Sequence, residues 1–86
     1  MEISTGTVVI AKAGKEKGEF FVVTKVLSDS ALICDGKSRK LEKPKKKNIK
    51  HLQLTNYQIE DIHSNLKIRQ AISKIKTGGQ QCLNKT

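Results

Sequence analysis

Thr5–Asp35 reads TGTVVIAKAGKEKGEFFVVTKVLSDSALICD, three apolar runs separated by two short polar turns. Val8 and Ile10 alternate with Thr7, Val9 and Ala11, which predicts a strand over about residues 5–12. Ala13–Gly18 then reverses the chain. Gly14 and Gly18 stand on either side of Lys15, Glu16 and Lys17, and glycine accepts the positive φ of a tight turn without steric cost. Phe20–Leu27, dense in β-branched and aromatic residues, is the second strand, Ser28–Ser30 the second turn and Ala31–Cys34 the third strand. The stretch is a β-meander with a cationic first corner.

Outward from it, Asp35-Gly36 is a two-residue hairpin signal, with Gly36 as its turn glycine, and Ser38–Glu42 is the expected fourth strand. Pro44 is expected to end that strand, because proline cannot donate to a ladder. Lys45–Asn48 then reads as an extended charged loop before a fifth strand at Ile49–Leu54. Five short strands with turns at this spacing predict a small antiparallel barrel. Beyond Thr55 the apolar period lengthens. Ile59, Ile62 and Leu66 share one helical face, whereas Ile68, Ala71, Ile72 and Ile75 share a nearly opposite one. A break at His63-Ser64 accommodates both: Thr55 and Gln58 form a capping box for a first short helix, and Ser64 or Asn65 caps a second one running to about Lys76, stopped by Gly78-Gly79. The predicted organisation is therefore a mainly β barrel at residues 1–54, two short C-terminal α-helices packed on or beside it at 55–77, and a disordered tail at 78–86.

Charge dominates the surface chemistry. The 86 residues allow one domain, carry a formal net charge of +9, and include only three aromatic residues, Phe20, Phe21 and Tyr57. Lys37, Arg39, Lys40, Lys43, Lys45, Lys46, Lys47 and Lys50 are opposed locally only by Glu42. With Lys12, Lys15, Lys17 and His51 they are the candidate contacts to an anionic partner. A small sheet with this much positive charge and so few stacking platforms points to phosphate backbone rather than to bases. About six such contacts would give a salt slope between roughly −4 and −5. Folded RNA suits the surface, since shape, phosphates and 2′-hydroxyls can be met without entering a narrow groove. Taken alone, Lys15-Glu16-Lys17 is also what a solvated turn looks like. Gly18 reads as structural, His51 fits a phosphate contact or a half-buried strand position equally well, and His63 fits a helix junction.

Other chemistries lack their residues. Cys34, His51, His63 and Cys82 have no zinc-ligand spacing. AKAGKEKG lacks the spacing and the Gly-Lys-Ser/Thr end of a P-loop. Asp35 with Glu42, and Glu60 with Asp61, suggest no acid/base pair. A non-enzyme without cofactor, metal or small-molecule substrate is expected. No stretch is long enough to span a membrane and MEISTG lacks signal-peptide character, so a cytoplasmic protein is expected, with Cys34 and Cys82 as free thiols.

GTVVIAKAGKEKGEFFVVTKV (Gly6–Val26) resembles a KOW motif, the strand-turn-strand element of ribosomal proteins and transcription elongation factors, with Gly18 at its signature glycine. ALICDGKSRKLEKPKKKNIKHLQLTNY (Ala31–Tyr57) and IHSNLKIRQA (Ile62–Ala71) extend the resemblance, over residues 3–76, to large-subunit ribosomal proteins of the L-fourteen-e type and their bacterial single-domain relatives. The resemblance implies an SH3-like barrel that binds structured RNA, above all ribosomal RNA of the large subunit, with ribosomal proteins as neighbours. The competing expectation is a protein-interaction module of the translation or transcription machinery, in which the barrel or the helical face docks a protein and the lysines only steer it.

Overall fold

The computed structural model describes the backbone of residues 3–83 and the side chains of residues 3–77. The apolar runs of the meander become β1 (Thr7–Ala11), β2 (Phe20–Val26) and β3 (Ser30–Cys34), within about two residues of their predicted bounds. With β4 (Lys45–Asn48) and β5 (Leu52–Gln58) they make one antiparallel sheet of order β4-β3-β2-β1-β5. One α-helix among the described residues, α1 (Asn65–Leu83), follows.

Alternation along the strands sends neighbouring side chains to opposite faces, and here both faces are buried. Val9, Ala11, Phe21, Val23, Ala31, Ile33 and Leu52 form one cluster. Val8, Val22 and Cys34 form the other, with Ile59 and with Ile68 and Ile72 of α1. Two-sided burial is why the meander reads as nearly continuous apolar runs. The helix packs on the second face, and Ile3 and Leu54 pack against the first. Asn48 and Leu52 lie on opposite edge strands, joined only by a 3-10 turn at Ile49–His51. Four residues reach at most about 15 Å, whereas the edges of a flat five-stranded sheet lie about 19 Å apart. The sheet must therefore curl. Two irregularities in register help: Thr24 is the extra residue of β2 between the Val23–Ile33 and Lys25–Leu32 pairs, and β5 carries extra residues between Leu54 and Gln58. Bulges bend strands and raise their twist. In each, a threonine hydroxyl donates to a strand carbonyl, Thr24 to Leu32 at 3.2 Å and Thr55 to Val8 at 2.7 Å.

Several expectations are corrected. Ser38–Glu42 is not a strand, and Asp35-Gly36 is not a two-residue hairpin. The Asp35 carboxylate accepts the N–H groups of Lys37 (2.9 Å) and Arg39 (2.8 Å), while the Arg39 carbonyl accepts those of Asp35 and Gly36, which winds the segment into a tight loop. Pro44 precedes a strand instead of ending one: the supposed loop Lys45–Asn48 is β4, paired with the free edge of β3 from Ser30–Asn48 to Ile33–Lys45. Proline is tolerated at strand starts and lysine suits an edge strand, where it discourages pairing with other sheets. Ile49–His51 is a 3-10 turn capped by Asn48, whose side chain accepts the Lys50 N–H. Thr55–Gln58 does not cap a helix; Thr55 sits in the β5 bulge, and Ile59 and Ile62 reach the core from irregular chain. Leu66, expected on their face, is 51% exposed. The second helix does start as predicted: the Ser64 hydroxyl accepts the Lys67 N–H at 3.3 Å and its carbonyl accepts that of Ile68 at 3.0 Å. It does not stop at Gly78-Gly79 but continues to Leu83, since glycine inside a helix costs only about 1 kcal/mol and no proline follows. The tail predicted for 78–86 thus overlaps helical backbone, and residues 84–86 lie outside the described ones.

Two glycines fix the local geometry. Gly18 has φ +89° and nothing within 4 Å of where a Cβ would stand, so only its conformation demands glycine. Gly36 has φ +77° and also lies directly against Asn65 and Arg69 backbone at the start of α1, leaving no room for a Cβ. Asn65 completes the junction: its side-chain oxygen accepts the Leu41 N–H at 2.7 Å and its amide donates to Glu42 at 3.0 Å, a bond that lowers the Glu42 carboxyl below its ordinary range.

Candidate nucleic-acid interface

The β1–β2 turn is closed by the Gly18 N–H on the Ala11 carbonyl (2.8 Å) and by the Ala11 N–H on that of Glu19 (3.0 Å). This presents Glu16 to the edge strand β4. Strand alternation puts Lys45 and Lys47 on the same side of β4, and both meet it. Lys45 Nζ lies 2.8 Å from Glu16 Oε2 and Lys47 Nζ 3.5 Å from Oε1; Lys47 also donates to the Ala13 carbonyl at 3.1 Å, and Arg39 Nη2 lies 3.6 Å from Oε2. The hydrogen bond from Lys45, with the charges of Lys45 and Lys47, holds the Glu16 carboxyl at about 2, well below the ordinary 4.5 and against the opposing effect of burial. Lys46, between them, is exposed.

Glu16 was not among the expected site residues, yet it joins the two cationic segments. Its partners lie 23 to 31 positions further along the chain, a distance at which sequence carries no local signal. Lys45 and Lys47, expected to meet an outside partner, are engaged internally, and Lys47 is only 12% exposed. The exposed members of the expected set are Lys12, Lys15, Lys17, Lys37, Lys40, Lys43, Lys46, Lys50 and His51, and Arg39 is partly exposed. Lys12 donates its N–H to the His51 carbonyl at 2.8 Å, so the first corner also meets the turn before β5. His51 is exposed rather than half-buried. His63 belongs to a local turn, its N–H on Asp61 Oδ1 at 3.2 Å.

Between the β1–β2 turn, the Asp35–Arg39 loop and α1 runs an open groove of about 1450 Å³, with Lys15, Lys37, Arg39, Arg69, Lys74 and Lys76 among its walls. The helical cations fall outside the expected set because the run at Lys43–Lys47 is denser in the sequence. The available signal was that Asn65–Leu83 holds four basic residues and no acidic one. Cys34 is buried beneath the sheet, and burial first, then the Asp35 charge, pushes its thiol up to about 11, as suits an inert core residue. The Cys82 side chain lies outside the described residues. Among the described residues no three His, Cys, Asp or Glu side chains gather to hold a metal, and no helix is long and apolar enough to cross a membrane.

No family model matches this chain, and no curated protein sequence matches it.

Proposed function

We propose that the curled sheet is an SH3-like barrel of the KOW type and that the protein is a non-catalytic, cytoplasmic RNA-binding module, associated with ribosomal RNA of the large subunit. The observation that carries this reading is the junction at Glu16. By tying the β1–β2 turn to Arg39 and β4, it gathers two basic segments, separate in sequence, around one corner of the sheet. Lysines exposed there act on phosphates as point charges and release condensed counterions. Phe21 is buried, and Phe20 and Tyr57 are half-buried against the second cluster, Phe20 at the wall of the groove, so aromatic surface for base stacking is scarce among the described residues. Backbone and shape then carry recognition, which favours folded RNA over single strands.

Sucrose-gradient fractionation of lysate tests the reading. The protein is expected to co-sediment with large ribosomal subunits or their precursors at about 50 mM salt and to be released progressively toward 200 mM. Retention at the top of the gradient while ribosomal proteins migrate would rule out the ribosomal assignment.

A further inference from the structure

The helix wall of the groove differs from the sheet wall. On the sheet side, Lys15, Lys37 and Arg39 are accompanied by Glu16, Glu19 and Asp35. Glu16 holds Arg39, and Asp35 is engaged by the backbone of the same loop. α1 itself contributes no carboxylate to the groove. Ile68, Ala71, Ile72 and Ile75 turn α1 toward the core. At about 100° per residue, Arg69 and Lys76 then fall on one flank, seven residues and about 10 Å apart, whereas Lys67 falls on the other. Both are exposed, and neither has an ion-pair partner among the described residues. Ser73 falls beside them, and Gln70 and Thr77, nearer the outward face of the helix, also line the groove, bringing neutral hydrogen-bonding groups to it.

We propose that this flank of α1 is a second RNA-binding surface: one phosphodiester strand of a folded RNA runs along the groove, with Arg69 and Lys76 on separate phosphates and the Lys15 and Lys37 side chains closing over it from the opposite wall. The proposal rests on the RNA-binding reading and relocates its centre from the β4 lysines to the helix. Attraction to phosphate is strongest along the wall where no carboxylate competes. About 10 Å separates the two cations, enough for them to meet separate phosphates of one strand, and the neutral polar residues beside them suit 2′-hydroxyls.

The test uses the full chain and labelled, folded large-subunit ribosomal RNA, with affinity measured from 50 to 300 mM salt. R69Q/K76Q is compared with K25Q/K67Q, which removes the same charge from exposed positions off the groove. The groove variant should bind roughly tenfold or more weakly at 100 mM salt, with a salt slope shallower by about 2, while the control stays near wild type. R69K/K76R, which keeps the charge, should bind within a few-fold of wild type. Equal losses in R69Q/K76Q and K25Q/K67Q, or none in either, would overturn the groove while leaving RNA binding intact. Failure of the wild type to bind would remove the RNA reading and the groove together.

Discussion

β4 and α1 are both rich in cations and use them in opposite ways. β4 places three lysines in four residues, yet Lys45 and Lys47 are held by Glu16 and the Ala13 carbonyl, leaving Lys46 to face outward. α1 carries Lys67, Arg69, Lys74 and Lys76 over a longer span, and none has a carboxylate partner among the described residues. The strand uses its charge to assemble the corner; the helix keeps its charge for a partner. Density of lysine along a chain therefore does not measure availability. What decides it is whether an acidic residue from elsewhere reaches the same face. Replacing Lys45, Lys46 and Lys47 together would thus confuse two roles, breaking the junction while removing one outward charge.

The largest effect is expected at Gly36, where β3 hands the chain to the loop that seats α1. Gly36→Ala puts a Cβ against Asn65 and Arg69 backbone at a φ of +77°. We expect a loss of about 3 kcal/mol or more, read as a fall in Tm of about 10 °C or more. An unchanged melting curve would mean that the helix is not seated on this loop.

The next effect is smaller and belongs to β4. Glu16→Gln should cost about 1 to 2 kcal/mol, discounted because its carboxylate and its cations stay partly exposed. Because the folded carboxyl lies near 2 and the unfolded one near 4.5, the stabilisation is complete above about pH 4.5 and is lost as pH falls toward 2. Acid titration of stability should show a shallower decline across that window in Glu16→Gln than in wild type. Parallel curves would show that the junction contributes nothing.

The finest contrast lies within the strand. Lys47→Gln should lower stability by about 1 kcal/mol through loss of its bonds to Ala13 and Glu16. Lys46→Gln should leave stability within about 0.5 kcal/mol and reduce the salt slope of RNA binding by about 1. Urea titration of both variants beside RNA titration separates the roles, and identical profiles would erase the distinction between inward and outward lysines.

Three strands were legible because alternation, β-branched density and turn residues are local properties: Thr7–Ala11, Phe20–Val26 and Ser30–Cys34 carry them within each run. So was the helix start at Ser64, where a capping hydroxyl precedes an apolar stripe. The misreadings have a common cause. KKKN has no propensity that announces a strand; it becomes β4 because β3 offers an unpaired edge, and proline is tolerated just before a strand. Thr55 carries a cap-like signal but donates to Val8, brought there by β1–β5 pairing. Among the site residues, the basic segments were visible by composition alone, whereas Glu16 and the flank of Arg69 and Lys76 were not, since one depends on side chains from distant positions and the other on which way the helix turns.

The chain by itself determines the meander, the cationic surplus, the positive-φ glycines and an amphipathic basic helix, because each follows from neighbours within a few residues. Only the tertiary structure decides that the sheet curls, that Glu16 draws Arg39, Lys45 and Lys47 to one carboxylate, and that α1 lies with Ile68 and Ile72 down and Arg69 at the groove. These depend on bringing distant segments to within a few ångströms, where electrostatic and packing energies become large enough to choose among arrangements that local propensity leaves equal.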